Sequence, residues 1–324
     1  MDRADLELFE RSVRHAAEQH TGAELDVALD DLGWSEALAD EPRSAVSVIF
    51  EVQGRTGVTS SALDRVMALA LGAKDLDGDP AGLVLPAAAS WDPPGVLDDG
   101  RLTIRGVGTV AFATAATAAV VASGVDGDRE VLVRVPTSAL ERRQVEGLDS
   151  ELGLFELRAA DVAVGSSREL ETGAWAAALA AGRVAIAHDL VGASRAMLTL
   201  AREHALDRVQ FGVPISSFQA VRHRLAEALV AVETADAVLD AAWLDPSELT
   251  AAMAKSVAGR SARTVAKHCQ QVLAGIGFTT EHPFQGYVRR VLVLDTLLGR
   301  STALSEQLGR DLLASRRLPP LLPL

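Results

Sequence analysis

One cysteine, Cys269, stands alone in 324 residues. A single thiol excludes an internal disulfide framework and fits a reducing cytoplasm. Basic charge is also short: 31 Lys and Arg face 44 Asp and Glu, for a net charge of −13. That balance argues against nucleic acid or an anionic membrane as partner, because either needs a broad basic face. No uninterrupted apolar run reaches the roughly 20 residues that span a bilayer. The opening Met1-Asp2-Arg3-Ala4-Asp5 is acidic, unlike a secretory signal. No internal repeat is found. What remains is 48% hydrophobic and 23% charged residues, the composition of a packed globular protein long enough for two or three domains.

Periodicity divides the chain into three parts. Residues 1–74 read as an N-terminal helical domain. Leu6, Phe9 and Val13 recur at helical spacing, as do Leu29, Leu32 and Trp34, then Val46, Ile49 and Phe50, then Leu63, Val66 and Met67. Gly22, Pro42 and the Gly54–Ser61 stretch punctuate them, with Thr59-Ser60-Ser61 as a helix cap. Residues 75–170 change period, after a turn-rich link at Asp75–Pro80. Short runs at 82–85, 101–106, 110–113, 119–122, 130–135 and 154–157 alternate with turns such as Asp98-Asp99-Gly100 and Asp126-Gly127-Asp128. They predict a small antiparallel β domain, a barrel or sandwich. Residues 171–324 return to helical spacing in longer elements. Trp175–His204 is apolar on most sides and predicts a buried helix of a bundle. Two long helices follow over 218–244 and 247–273, with Pro246 suited to the first turn of the second. Shorter ones follow over 287–298 and 302–313. The Pro319–Pro323 tail cannot be helical. The fold class is mainly α with a small β domain between two helical ones.

The most chemical stretch is Arg208-Val209-Gln210-Phe211-Gly212-Val213-Pro214-Ile215, followed by Ser217-Phe218-Gln219. Arginine offers a fixed fork of donors to phosphate oxygens. Phe211 offers a face to a heteroaromatic ring. Gly212 lets the backbone turn or approach closely. Gln219 can donate or accept. These parts suit a flat, anionic, nucleotide-like ligand. They equally suit a surface arginine before a helix–helix turn, with Phe211 as a core plug. A second stretch, Gln271-x-x-Ala274-Gly275-x-Gly277-Phe278-Thr279-x-Glu281, closes a long helix with small residues. Its glycines permit close approach or an ordinary helix stop.

Together these stretches resemble the acyl-CoA dehydrogenase family. That family carries an R-x-Q-F-G-x-P-I…F-Q pattern, then Q-x-x-G-G-x-G-[FY]-[ST]-x-E, then an arginine, here Arg289 or Arg290. Ala274 replaces the first glycine of the second motif. Asp31-Leu32-Gly33-Trp34 and Phe50-Glu51-x-Gln53-Gly54-Arg55 look like the family's first domain. The resemblance implies a three-domain fold and α,β-dehydrogenation of an acyl-CoA thioester, with FAD as cofactor. A carboxylate takes the α proton while the β hydrogen leaves as hydride. It also implies that Arg208, Gln210, Phe211, Gln219, Gln271 and Gly275 contact the ADP half of an FAD whose isoalloxazine sits in an adjacent protomer. Arg208 would pair with the pyrophosphate and Phe211 would pack on the adenine.

The departures from that pattern shape the functional expectation. The family places its general base in one of two positions, which here read Leu298-Gly299 and Gly182-Arg183. Neither offers a carboxylate. The flavin-ring motifs of the family's β domain are also missing from Leu85–Ser90 and Val110–Thr114. Asp189, seven residues beyond Gly182 and on the same helix face, is the remaining acidic candidate, and it equally suits an ion pair across the bundle. Glu281, His282 and His188 read as turn or packing residues, and Asp295 and Glu306 as solvated faces or interface partners. The resemblance therefore points to a short subunit of an α2β2 acyl-CoA dehydrogenase of steroid side-chain catabolism, inactive alone. Its partner, a homologous subunit, would supply the base, the flavin-ring pocket and most of the acyl-CoA site. A homomeric flavoenzyme using Asp189, or a flavin-free scaffold, are the alternatives.

Overall fold

A computed structural model describes residues 3–72, 81–124, 129–165 and 167–316. The Asp75–Pro80 link, the Asp126-Gly127-Asp128 turn and the Pro319–Pro323 tail lie outside the described residues. The chain divides into two compact units. One comprises Met1–Ile49, Val58–Ala185 and Thr296–Gly299; the other comprises Phe50–Gly57, Ile186–Asp295 and Arg300–Leu324. Two of the divisions, at 49/50 and 185/186, fall inside helices α4 (Pro42–Thr56) and α6 (Ala174–Asp207).

In the first unit, α1 (Arg3–Gln19), α2 (Ala23–Asp31), α3 (Trp34–Asp40), the start of α4 and α5 (Ala62–Ala70) form the helical part. Gly22 and Gly33 adopt positive φ at the starts of α2 and α3, where a side chain would be strained. Trp34 is fully buried, and its indole N–H donates to Ala45 O at 3.0 Å. That bond satisfies the one polar atom of an otherwise apolar anchor. Ser61 occupies the cap position of α5 but its side chain makes no cap bond. The free N–H groups are met by Ser60 Oγ, from Ala62 N, and by Asp26, from Ser61 N.

Strands β1 (Ala81–Leu83), β2 (Leu85–Pro86), β3 (Gly95–Asp98), β4 (Arg101–Gly108), β5 (Thr117–Gly124), β6 (Glu130–Pro136), β7 (Glu141–Gln144), β8 (Phe155–Ala163) and β9 (Ser167–Glu169) form one sheet. Its order is β7-β8-β4-β3-β5-β6-β9, with β1 beside β5 and β2 beside β4. The sheet is mixed rather than antiparallel, because β1 and β3 both run parallel to β5. Val84, Leu102, Ile104, Phe112, Val120, Val133 and Leu157 fill its core. The expected strand at 110–113 is instead a 3-10 helix, whose cap Thr109 accepts from Ala111 N. This turn drops Phe112 into slots left by Gly82 and Gly108, where an added Cβ would come within 2.5 Å of the ring. Asp64 of α5 ties the helices to the sheet. It accepts from Leu83 N at 2.9 Å and from the Thr109 hydroxyl at 2.6 Å.

In the second unit, α7 (Gln219–Leu244) and α8 (Glu248–Leu273) are joined by three residues and pack along their length. Pro246 precedes the helix rather than entering its first turn. Ser247 is the cap, and it forms a reciprocal capping box with Thr250. The expected helix at 287–298 is displaced: α9 spans Phe284–Leu294, then α10 spans Ser301–Ser315. Gly54 does not break a helix. It lies within α4, and its missing side chain lets the backbone of Asp189 and Ala193 come against α4. By length and composition α6 could cross a membrane, which run length alone did not suggest. Yet 72% of its most apolar window is buried inside the protein, so it is a core helix.

Asp295 corrects the surface reading of that residue. It is buried at 2% exposure and accepts from Arg263, at 2.7 Å, and from Ser301. The fully buried Lys255 donates to its backbone carbonyl at 3.2 Å, with its carboxylate 3.8 Å away. Gly259 makes the room, since a side chain there would collide with the Asp295 carboxylate. Burial opposes the charge, but Lys255 and Arg263 hold the Asp295 carboxyl below its ordinary range.

Candidate functional site

The Arg208 stretch folds as a hairpin, β10 (Val209–Gln210) against β11 (Val213–Pro214), closed by Ile215 N donating to Arg208 O at 2.8 Å. Its two turn residues, Phe211 and Gly212, have φ of 55° and 81°. A two-residue loop with both φ positive is a type I′ turn, which matches strand twist but favours Asn-Gly. Gly212 meets the demand. Phe211 carries its Cβ in the left-handed region at a cost of about 1 kcal/mol. The ring is not a core plug. It is 93% exposed and touches Phe218 edge-on at 6.2 Å. Arg208, Gln210 and Gln219 are exposed, and Arg208 forms no ion pair among the described residues.

The second motif lies at the far end of α8. Ala274 leaves the helix at φ 51°, ψ −130°, a conformation natural to glycine. Gln271 and Gly275 are exposed, and open space faces the position of a Gly275 side chain. Gln270, its neighbour, is committed instead: it donates to Ala274 O at 3.2 Å and accepts from Gln285 at 3.0 Å. The start of α7 and the end of α8 share one end of the helical pair. Arg224 bonds His268 at 3.2 Å, and His268 lies 3.3 Å from Glu227. Helix antiparallelism thus brings the neighbourhoods of Gln219 and Gln271 together.

Within the first unit, Gly182 and Leu298 meet. A Cβ on Gly182 would lie 2.6 Å from Leu298 Cδ1 and 2.9 Å from Met67 Sδ. Leu298 is 1% exposed and has φ 54°. Arg183 Nε donates to Leu298 O at 3.1 Å, and its guanidinium lies over the Trp91 ring at 5.9 Å. Trp91 O in turn accepts from the Trp175 indole at 3.1 Å, and Ala89 N donates to Thr296 O at 2.8 Å. Sequence reading missed the Trp91–Arg183–Leu298 assembly, because only long-range contacts create it.

Asp189 is buried in the second unit. Both of its oxygens are taken by Arg290, at 2.9 and 2.7 Å. Arg290 also donates to Gly57 O at 3.0 Å. A carboxylate chelated in this way has no face turned to a substrate. His188 is a packing residue between Glu51, at 3.4 Å, and the Trp243 indole, which donates to it at 3.0 Å. Glu51 also pairs with Arg195. Burial works against the Glu51 charge, yet His188 and Arg195 hold its carboxyl below the ordinary value. Glu281 and Glu306 are exposed. Burial pushes the Cys269 thiol up to about 12, so it stays protonated near neutrality.

Comparison with known proteins bears on family and fold. Residues 173–313 match the family "Acyl-CoA dehydrogenase, C-terminal domain". Acyl-CoA dehydrogenase IpdE2 of Mycolicibacterium smegmatis is 39% identical over 114 residues, which is 35% of this chain and 37% of that protein. Acyl-CoA dehydrogenase FadE34 of Mycobacterium tuberculosis is 42% identical over 123 residues, 36% of this chain and 17% of that protein. The matched stretch thus spans little more than a third of such relatives at most. Among solved structures, a variant of the Tcur3481-Tcur3483 steroid ACAD superposes with a TM-score of 0.81 at 23% identity, covering 97% of this chain and 98% of that one. The ChsE4-ChsE5 complex from Mycobacterium tuberculosis gives 0.77 at 22% identity, covering 99% of each chain. At that identity the likeness is one of fold. Residues 173–313 therefore match an acyl-CoA dehydrogenase C-terminal domain, in a chain that has the acyl-CoA dehydrogenase fold along almost its whole length.

Proposed function

We propose that this chain is a non-catalytic subunit of a heteromeric, FAD-dependent acyl-CoA dehydrogenase. The observation that carries the reading is the Gly182–Leu298 contact. The two positions that would offer a general base hold a glycine and a leucine, packed against each other and Met67. No carboxylate lies there to take an α proton, and no space is left for one. Asp189, the alternative base, is chelated by Arg290, which weighs against a homomeric enzyme built on it.

The hairpin and the α8 terminus fit the ADP half of FAD. Arg208 has no acidic partner among the described residues, Phe211 offers an open ring face, and Gly275 leaves backbone approachable. Arg208 would hold the diphosphate. Phe211 would stack on the adenine. Gln210, Gln219 and Gln271 would supply polar contacts. When bound, FAD accepts the hydride from the β carbon of the acyl-CoA. The partner subunit brings the base, the flavin-ring pocket and most of the acyl-CoA site. An α2β2 assembly acting on a steroid side-chain thioester is the favoured form, since a steroid ACAD and a ChsE4-ChsE5 complex share the fold. An uncommitted Arg208 beside an exposed Phe211 argues against a flavin-free scaffold.

The test is co-expression with a homologous full-length acyl-CoA dehydrogenase subunit, followed by flavin absorbance of the purified protein. Flavin bound only in the complex, and lost with Arg208→Ala, is the expected result. A yellow protein from this chain alone, active on an acyl-CoA, would sink the proposal. Colourless protein in both preparations would favour a scaffold.

A further inference from the structure

Helix α7 is committed on three sides. Ala228, Val232, Ala235, Leu239 and Ala242 form its buried stripe. On one flank Asp236 pairs with Arg195 of α6 at 2.8 Å, and the Trp243 indole donates to His188 of α6 at 3.0 Å. On the other flank Arg224 bonds His268 of α8 at 3.2 Å, and Glu227 lies 3.3 Å from the same ring. The fourth side carries Ala226, Val230, Ala237, Ala241 and Leu244. At 100° per residue these fall within about 60° of arc, opposite the buried stripe. A helix face turned to water is ordinarily polar. Here Val230 is 65% exposed and Leu244 72%.

The order of charges along α7 identifies what covers this face. Arg222 and His223 stand near its start, Asp240 and Asp245 at its end, and all four are exposed. A parallel neighbour of the same kind would set like charges beside like. An antiparallel one sets each basic start against an acidic end, and the helix dipoles oppose as well. A two-fold axis between residues 233 and 234 maps the stripe onto itself. Val230 then meets Ala237 of the second copy, Ala226 meets Ala241, and Leu244 meets His223. Arg222 and Asp240 lie on one flank of the stripe, and the axis keeps that flank common to both copies. The alanines let the helix axes approach to about 8 Å. Identical faces related in this way close as a pair and do not propagate.

We propose that this chain pairs with a second copy of itself through the outer face of α7, the two helices running antiparallel. The contact goes beyond the subunit reading and does not depend on flavin. Its size sets its strength. Helix α7 has 26 residues, so the face is about 39 Å long and about 10 Å wide. Two such faces bury about 800 Å², below the roughly 1,000 Å² of a firm interface. Pairing through α7 alone is therefore weak and reversible. Glu233, which meets its own copy beside the axis, weakens it further.

The experiment is sedimentation equilibrium of the full chain over a concentration series, with cysteine cross-linking to fix the geometry. The native Cys269 is buried and its thiol is pushed up to about 12, so it takes no part. The chain should dimerise reversibly. Val230→Lys and Ala237→Arg should each raise the dissociation constant about tenfold or more, with thermal melting unchanged. Glu233→Gln should lower it about twofold. Thr234→Cys should cross-link to itself. Leu244→Cys alone should not, yet it should cross-link when mixed with His223→Cys. Self-linking of Leu244→Cys would mean parallel packing and overturns the inference. So does the absence of any α7 cross-link, both alone and in the co-expressed complex. A chain that stays monomeric alone and cross-links through α7 only to a homologous subunit also overturns it, while the subunit reading stands. If the chain pairs as described but no complex takes up FAD, the contact stands and the flavin reading falls.

Discussion

Arg183 and Arg208 lie 25 residues apart on one stretch of chain, and their surroundings are opposite. Arg183 is buried, bonded to Leu298 O and stacked on Trp91. Arg208 is exposed on a hairpin whose Phe211 also faces solvent in a strained turn. The same residue type is finished in one region and unfinished in the other. Family resemblance would direct attention to both regions, since one matches the position of the base and the other the cofactor grip. Commitment of the polar atoms separates them. Where each donor and acceptor already has an internal partner, the region serves the fold. Where cation, ring and backbone are left open, the region awaits something else.

The contrast can be tested through stability. Arg290 is among the most committed groups, chelating Asp189 inside the second unit. Arg290→Met should cost about 3–5 kcal/mol in urea unfolding, because it strands a buried carboxylate. A loss below about 1 kcal/mol would mean Asp189 is less enclosed than its bonds indicate. Asp64 comes next. Burial, against the bonds from Thr109 and Leu83 N, raises its pKa from 3.8 to about 7, and the Asp26 charge adds to the rise. The folded chain therefore binds this proton more tightly than the unfolded chain does. Stability should fall by about 4 kcal/mol as pH rises from about 4 through about 7, then level off. Asp64→Asn should flatten that part of the profile. A wild-type profile with no such slope would contradict the assignment.

Smaller effects sharpen the same comparison. Gly182→Ala should cost about 2 kcal/mol, since even one methyl group meets Leu298 and Met67. If that variant is as stable as wild type, the region is roomier than described. Ala274→Gly should stabilise by about 1 kcal/mol by relieving a positive φ. Arg208→Ala should change stability by less than about 0.5 kcal/mol, as expected of an uncommitted surface group. Its effect should appear only in flavin retention. A large loss of stability there would break the contrast altogether.

Much of this was legible in the sequence. The long helices α6, α7 and α8 declare themselves through spacing and the Asp245-Pro246-Ser247 break, because burial of one face dictates period. Strands β4, β5 and β6 also show, since their buried positions alternate or run together. Strand β7 does not: Glu141-Arg142-Arg143-Gln144 is an edge with every residue exposed, so no alternation exists to read. The 110–113 stretch misled because its apolar content serves a cap and a ring slot rather than a pleat. The hairpin at Arg208 was hidden because its strands have two residues each and its turn uses Phe-Gly where Asn-Gly is the usual signal. Asp295 looked like a surface acid because Lys255 and Arg263, which bury it, lie 40 and 32 residues away. The Arg208 motif was visible as a set of parts. Its lack of internal partners was not, since a missing contact leaves no pattern in a sequence.

The Gly182–Leu298 contact also constrains which substitutions this pocket tolerates. A glutamate at 182 would collide with Leu298, and a charge at 298 would enter a buried site beside Met67 and the Arg183–Trp91 stack. Either substitution is penalised until its neighbour has changed first. Each position therefore holds the other in place: no single substitution puts a carboxylate into this pocket without a clash or a buried charge.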